Sequence, residues 1–180
     1  MPPRKFKPWL RVAAAAALLT ALLAAGALGW RCRAPTTLIV VRHADREGTG
    51  DALTAAGTAR ALDLARLATK LAPAAIYHSD TQRARDTAAP LARALGLEPM
   101  ERAARDVEGL VGEVLRRYRG QRVVIVGHGN TVPQMIVAAG GPSLPDIAHD
   151  EFDDLFVLSV CACWPRRAEL VHLQYGAASP

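Results

Sequence analysis

The feature that most constrains this chain is a pair of short apolar runs that each stop at a histidine. They are Leu38-Ile39-Val40-Val41-Arg42-His43 and Val123-Val124-Ile125-Val126-Gly127-His128. Both are β-branched, of strand length and too short for a lone buried helix, so each reads as an interior strand of a parallel sheet. In open α/β sheets the carboxyl ends of the strands line the ligand crevice. His43, His128 and Arg42 are therefore expected to share one pocket.

Between and after these runs, strand and helix patterns alternate, which predicts one α/β domain over residues 34–180. A polar loop, ADREGTGDA, follows His43. Thr54 is placed to cap a helix carrying Leu64, Leu67 and Leu71 at helical spacing, and Pro73 stops it. Ala75-Ile76-Tyr77-His78 is the next strand. Ser79 opens into a helix bearing Arg83, Arg85 and Thr87, with a kink expected at Pro90 and the end at Gly96. Asp106 is expected to cap a helix running to Tyr118, followed by the second histidine strand and then a helix after Thr131. Leu155 to Cys163 and Glu169 to Leu173 read as closing strands.

The formal charge of +5, from 22 basic and 17 acidic residues, would suggest nucleic acid if it were spread over the fold. It is not. Arg4, Lys5, Lys7, Arg11, Arg31 and Arg33 all precede Ala34 with no acid among them, and the body is close to neutral. Phosphate tracking needs a basic stripe on the folded domain, so no nucleic-acid partner is expected. The basic residues flank an uncharged stretch of 19 residues, 12–30. Residues 1–33 are expected to act as a signal anchor or, cleaved near Ala25-Gly26-Ala27, as a signal peptide. More basic residues precede the stretch than follow it, which places the body outside the cytoplasm: periplasmic or at the cell surface, anchored to the inner membrane or secreted. The odd cysteine count (Cys32, Cys161, Cys163) and the absence of metal-ligand spacing favour packed small residues at 161 and 163 over a metal pair or redox switch.

The chemistry follows from the residue types at the strand ends. Neutral imidazole is a capable nucleophile toward phosphorus, and guanidinium groups take phosphate oxygens in a planar fork. The natural substrate is a phosphomonoester. Four ordered motifs, Arg42-His43-Ala44, LTAAGTARA at 53–61, SDTQRARDTA at 79–88 and VGHGN at 126–130, resemble the histidine phosphatase superfamily, the phosphoglycerate-mutase-like clan, in its small phosphatase branch. The resemblance implies a three-layer α/β/α fold with a mixed, mostly parallel sheet. It places the nucleophile on His43, the phosphate-binding arginines on Arg42 and Arg83, and the second pocket histidine on His128. Asn130 and Thr131 either orient phosphate or start the next helix. Ala44 stands where the superfamily usually has glycine, a change familiar among its small phosphatases.

The proton donor has no motif to identify it. Asp106 is favoured, and it doubles as a helix cap. Glu101 and Glu108 lie in the same interval, and Asp45 and Glu47 are rivals just past the nucleophile. Arg85 competes with Arg83 and reads as a solvated charge; His78, His149 and His172 read as capping, exposed or structural. Glu151, Asp153 and Asp154 read as a solvated turn, and if they faced the pocket they would repel strongly anionic substrates. Neither cofactor nor metal is expected, because the histidine and carboxylate spacings follow no zinc pattern. The expected partner is a small phosphomonoester or a phosphorylated envelope component, with the membrane as a further partner if the leader is retained. A catalytically decayed phosphate-binding module and a phosphomutase are the alternatives.

Overall fold

A computed structural model of the protein describes residues 16–23, 34–161 and 167–179. Residues 16–23 form a helix, α1. No helix among the described residues is long and apolar enough to cross a membrane. Most of the expected leader, along with Cys32 and Cys163, lies outside the described residues.

The remaining elements run β1 (Thr36–Arg42), α2 (Ala55–Thr69), β2 (Ala75–Ser79), α3 (Gln82–Leu95), β3 (Met100–Arg102), α4 (Val107–Arg117), β4 (Arg122–Gly127), α5 (Thr131–Ala138), β5 (Asp154–Cys161) and β6 (Arg167–Gln174). They build one six-stranded sheet in the order β3-β2-β4-β1-β5-β6. The first four strands are parallel, and β5 and β6 close the sheet antiparallel. This is the α/β/α architecture expected from the sequence.

The two histidine strands are buried on both faces, which is why they read as unbroken apolar runs. Their side chains alternate between two cores. Leu38, Val40, Val123 and Ile125 pack with Leu110, Val114, Val132 and Ile136 of α4 and α5. Ile39, Val41, Val124 and Val126 pack with Leu64, Ala68, Ala88 and Leu91 of α2 and α3. Because β1 and β4 are adjacent and in register, with Arg42 opposite Gly127, both strands deliver their histidines at the same level of the sheet.

Local signals account for most boundaries. The Thr54 hydroxyl accepts from the Gly57 N–H at 3.0 Å and caps α2. Gly96 ends α3 in the left-handed conformation, φ 64°, that glycine adopts without steric penalty. The edge strand β3 has no counterpart in the sequence reading. Its three residues, Met-Glu-Arg, carry no hydrophobic alternation and are defined by pairing with Tyr77 to Ser79. Asp106 precedes α4, but its side chain makes no capping bond; only its carbonyl accepts, from Leu110 N–H at 3.0 Å.

Candidate active site

The carboxyl ends of β1 and β4 open into a cleft of about 670 Å³. Arg42, His43, Arg83, His128 and Asn130 all line it, together with Arg46, Arg105 and His149. His43 is 2% exposed, and its ring lies 5.3 Å from that of His128 at 63°.

The nucleophile candidate is fixed by backbone. His43 N–H donates to Gly127 O at 2.9 Å, and its Nδ1 lies 2.9 Å from Ala44 O. A carbonyl only accepts, so Nδ1 carries the proton and Nε2 keeps its lone pair. Thr87 of α3 accepts from Ala44 N–H at 2.9 Å while donating to Arg83 O at 2.7 Å, tying the turn after His43 to the helix that bears Arg83. Burial, then the nearby Arg42, Arg83 and His128, outweigh the Ala44 bond and hold the His43 pKa down at about 3. The imidazole is neutral across the physiological range.

Arg42 is clamped by the loop that precedes β5. Its Nη1 donates to the carbonyls of Ala148 and Glu151, the latter at 2.8 Å, and its Nη2 to His149 O at 3.0 Å. The guanidinium lies 4.2 Å over the Phe152 ring. That loop can approach because residue 129 is glycine: a Cβ there would sit 2.9 Å from Ile147 O. Burial first, and then the charges of Arg46 and Arg83, lower the Arg42 pKa from its ordinary value.

Arg83 is gripped from the other side. Asp51, in the loop after β1, accepts from Arg83 Nη1 at 2.6 Å and from the Gln82 N–H at 2.9 Å. Arg83 Nη2 faces His128 Nδ1 at 3.4 Å. Arginine only donates, so His128 Nδ1 accepts and Nε2 carries the proton. Burial, then Arg83, hold the His128 pKa near 4. The result is a set of buried donors with no protein partner: Nε of Arg42, of Arg83 and of Arg46, and Nε2 of His128. Buried N–H groups of this kind are costly unless something meets them, and anionic oxygens are the acceptors that suit guanidinium and imidazole donors.

The expected donor Asp106 does not join this group. It is exposed, lines a neighbouring groove with Glu108 and is not among the residues lining the cleft. Its rivals are elsewhere too: Asp45 pairs with Arg60 at 2.6 Å, Glu101 with Arg85 at 2.5 Å, and Glu47 is exposed outside the cleft lining. No carboxylate is among the residues lining the cleft. Nor do Glu151, Asp153 and Asp154 face it. Glu151 accepts from Ala148 N–H, Asp153 bonds Ser179, and Asp154 pairs with His172, whose ring stacks 4.5 Å from Phe156. His78 is buried with Nδ1 on Ser79 O at 2.7 Å. Asn130 sits at the α5 N-terminus with its side chain making no capping bond, and Thr131 Oγ1 accepts from His128 N–H at 2.9 Å.

Sequence reasoning missed Asp51 and Arg46. Both lie in the loop after His43, and no local pattern marks Arg46 as lining the cleft or Asp51 as the partner of Arg83. Among the described residues, no three His, Cys, Asp or Glu side chains converge to hold a metal ion.

A profile of the histidine phosphatase superfamily (branch 1) matches residues 38–105, the segment that contains Arg42, His43 and Arg83. Over that segment the chain is similar to the histidine phosphatase superfamily. Solved structures of similar fold agree. The native mycobacterial glucosyl-3-phosphoglycerate phosphatase is 18% identical, covering 78% of this chain and 99% of its own, with a TM-score of 0.60. A candidate phosphohistidine phosphatase, SixA, from Agrobacterium tumefaciens is 24% identical over 79% of this chain and 99% of its own (TM-score 0.56). Bacillus stearothermophilus YhfR is 18% identical over 69% of this chain and 91% of its own (TM-score 0.56). At these identities the likeness is one of fold. No curated protein sequence matches the chain significantly.

Proposed function

We propose that the protein is a phosphomonoesterase that passes the phosphoryl group of its substrate through Nε2 of His43, requires no metal ion, and acts outside the cytoplasm. The observation that carries this reading is the ring of unpartnered buried donors, Nε of Arg42 and Arg83 and Nε2 of His128, around a neutral imidazole whose Nδ1 is already committed. Nε2 of His43 attacks phosphorus, forming the P–N bond as the ester P–O bond breaks and the leaving oxygen takes the electron pair. The arginines and His128 stabilise the equatorial oxygens, the role that oriented donors play in phosphoryl transfer. Water then attacks phosphorus, the P–N pair returns to Nε2, and phosphate departs with the water oxygen.

With no carboxylate lining the cleft, the leaving oxygen takes its proton from solvent. Asp51 is a poor substitute, because the Gln82 N–H and the Arg83 charge hold its pKa below the ordinary carboxylate value. Substrates whose leaving groups depart as weak bases are therefore the best ones. Support for the substrate class also comes from the fold relatives: the mycobacterial phosphatase has been solved with inorganic phosphate and with VO3. The extracytoplasmic placement rests on the basic residues and uncharged stretch of the first 33 positions.

The test is hydrolysis of p-nitrophenyl phosphate by the full-length protein in EDTA between pH 4 and 9. Turnover is expected in the parent, and His43→Ala is expected to lower it by roughly 10³-fold or more. A folded parent with no turnover, or a His43→Ala variant that keeps it, sinks the reading.

A further inference from the structure

The reactive phosphoryl group does not use all the positive charge in the cleft. Its oxygens are met by Arg42, Arg83 and His128, and two guanidinium groups are left over. Arg46 is half-buried and already aimed: its Nη1 donates to Gly48 O at 2.6 Å and Gly50 O at 3.2 Å, and its Nη2 lies 3.5 Å from His149 Nε2. Those bonds leave Nε of Arg46 buried without a partner. Arg105, just after β3, is exposed, lines the same cleft, and has no ion-pair partner among the described residues. Like charges gathered this way raise the energy of the folded chain unless an anion joins them. Crowding by Arg46 contributes to the lowering of the Arg42 pKa, with Asp150 and Glu151 opposing it.

Space points the same way. A cleft of about 670 Å³ belongs to the size class that holds a whole organic ligand, well beyond a phosphate ion. No carboxylate of the acidic segment at 149–154 lines the cleft, and Asp153 and Asp154 are engaged elsewhere.

We propose that Arg46 and Arg105 form a second anion subsite, so that the preferred phosphomonoester carries a further anionic group on its leaving side. The inference rests on the phosphomonoesterase reading and narrows its substrate class. The subsite discriminates by charge: a second carboxylate or phosphate gains binding there, while a neutral leaving group of equal size gains none.

The experiment compares kcat/KM of the full-length protein for 4-carboxyphenyl phosphate and its neutral carboxamide, 4-carbamoylphenyl phosphate, at low ionic strength. The carboxylate is expected to be preferred about tenfold, the equivalent of one charge-assisted contact. Raising the salt to 0.5 M should shrink the preference. Arg105→Gln and Arg46→Gln should each bring the ratio close to one. Arg105 is exposed, so its variant keeps the test decisive if Arg46→Gln disturbs its loop. A parent ratio near one, or a preference that both variants leave intact, overturns the subsite. Hydrolysis of neither compound, nor of p-nitrophenyl phosphate, overturns the enzyme reading itself and the subsite with it.

Discussion

The ends of β1 and β4 are in register and carry the same residue, yet the fold makes opposite groups of them. At β1 the position before the histidine is Arg42, whose side chain reaches the carbonyls of the 148–151 loop. The paired position on β4 is Gly127, where a Cβ would sit 2.9 Å from Thr131 Oγ1 and 3.2 Å from Met135 Cε, because α5 begins at once and packs on that face. The histidines differ in the same manner. His43 has Nδ1 bonded to its neighbour's carbonyl, which leaves a lone pair on Nε2; His128 has Nδ1 facing Arg83, which leaves a proton on Nε2. One imidazole is set as a nucleophile and the other as a donor, and the partner of Nδ1 decides which.

The sharpest way to break this contrast is to remove each histidine in turn. His43→Ala should abolish the acid-quenched, radiolabelled phosphoenzyme altogether. His128→Ala should still form it, with kcat/KM lower by roughly 10²- to 10³-fold, the usual cost of losing one oriented transition-state donor. His128→Gln, which retains an N–H at a similar reach, should recover part of the loss. Equal losses with no phosphoenzyme from either variant would show that the two strand ends do not divide the work.

A smaller effect is expected at Asp51, which holds the side chain that sets the His128 tautomer. Asp51 keeps Arg83 Nη1 occupied and leaves Nε and Nη2 to face the cleft. Asp51→Asn weakens that grip without removing the acceptor, so kcat/KM should fall about tenfold, the value of one charge-assisted bond. Asp51→Glu should restore some of it. A rise in activity on Asp51→Asn would reverse the assignment, making Asp51 a competitor with substrate for Arg83.

Asp51 also shows why part of the site was illegible in the sequence. The parallel half of the sheet could be read because its strands are buried on both faces and therefore unbroken in Val, Ile and Leu. Arg42, His43 and His128 could be placed because they terminate such strands. Arg83 was selected over Arg85 through the resemblance, and Arg85 proves to be tied to Glu101. Loop charges follow no period. Whether Asp51 or Glu47 reaches Arg83, and whether Arg46 and Arg105 line the cleft, depends on where the backbone turns after the strand, and the clamp on Arg42 consists of carbonyls that every residue possesses. Side-chain type misled at Asp106, which lines a neighbouring groove instead of the cleft, and at Asp153 and Asp154, which read as a solvated turn and are buried beside Ser179 and His172. The short edge strand β3 was missed for a related reason, since Met100, Glu101 and Arg102 are defined by their neighbour rather than by their own pattern.

The smallest expected effect concerns stability, and its sign follows from the same burial. Both histidines have pKa values held low in the folded protein, about 3 for His43 and about 4 for His128, against about 6.5 in an unfolded chain. Below pH 6.5 the unfolded chain therefore binds protons that the native state refuses, so stability decreases as pH falls and the loss continues until the folded values are reached. Between pH 7 and pH 4.5 each histidine should cost about 2 kcal/mol. That window keeps the measurement clear of Asp51 and Asp153, whose lowered values put their own losses at more acidic pH. Comparing urea midpoints at the two pH values, His128→Gln should shrink the pH-dependent difference by about one histidine's share, and His43→Gln by a similar amount. A difference unchanged in both variants would mean that the histidines accept protons in the native state, and the neutral nucleophile at the end of β1 would lose its basis.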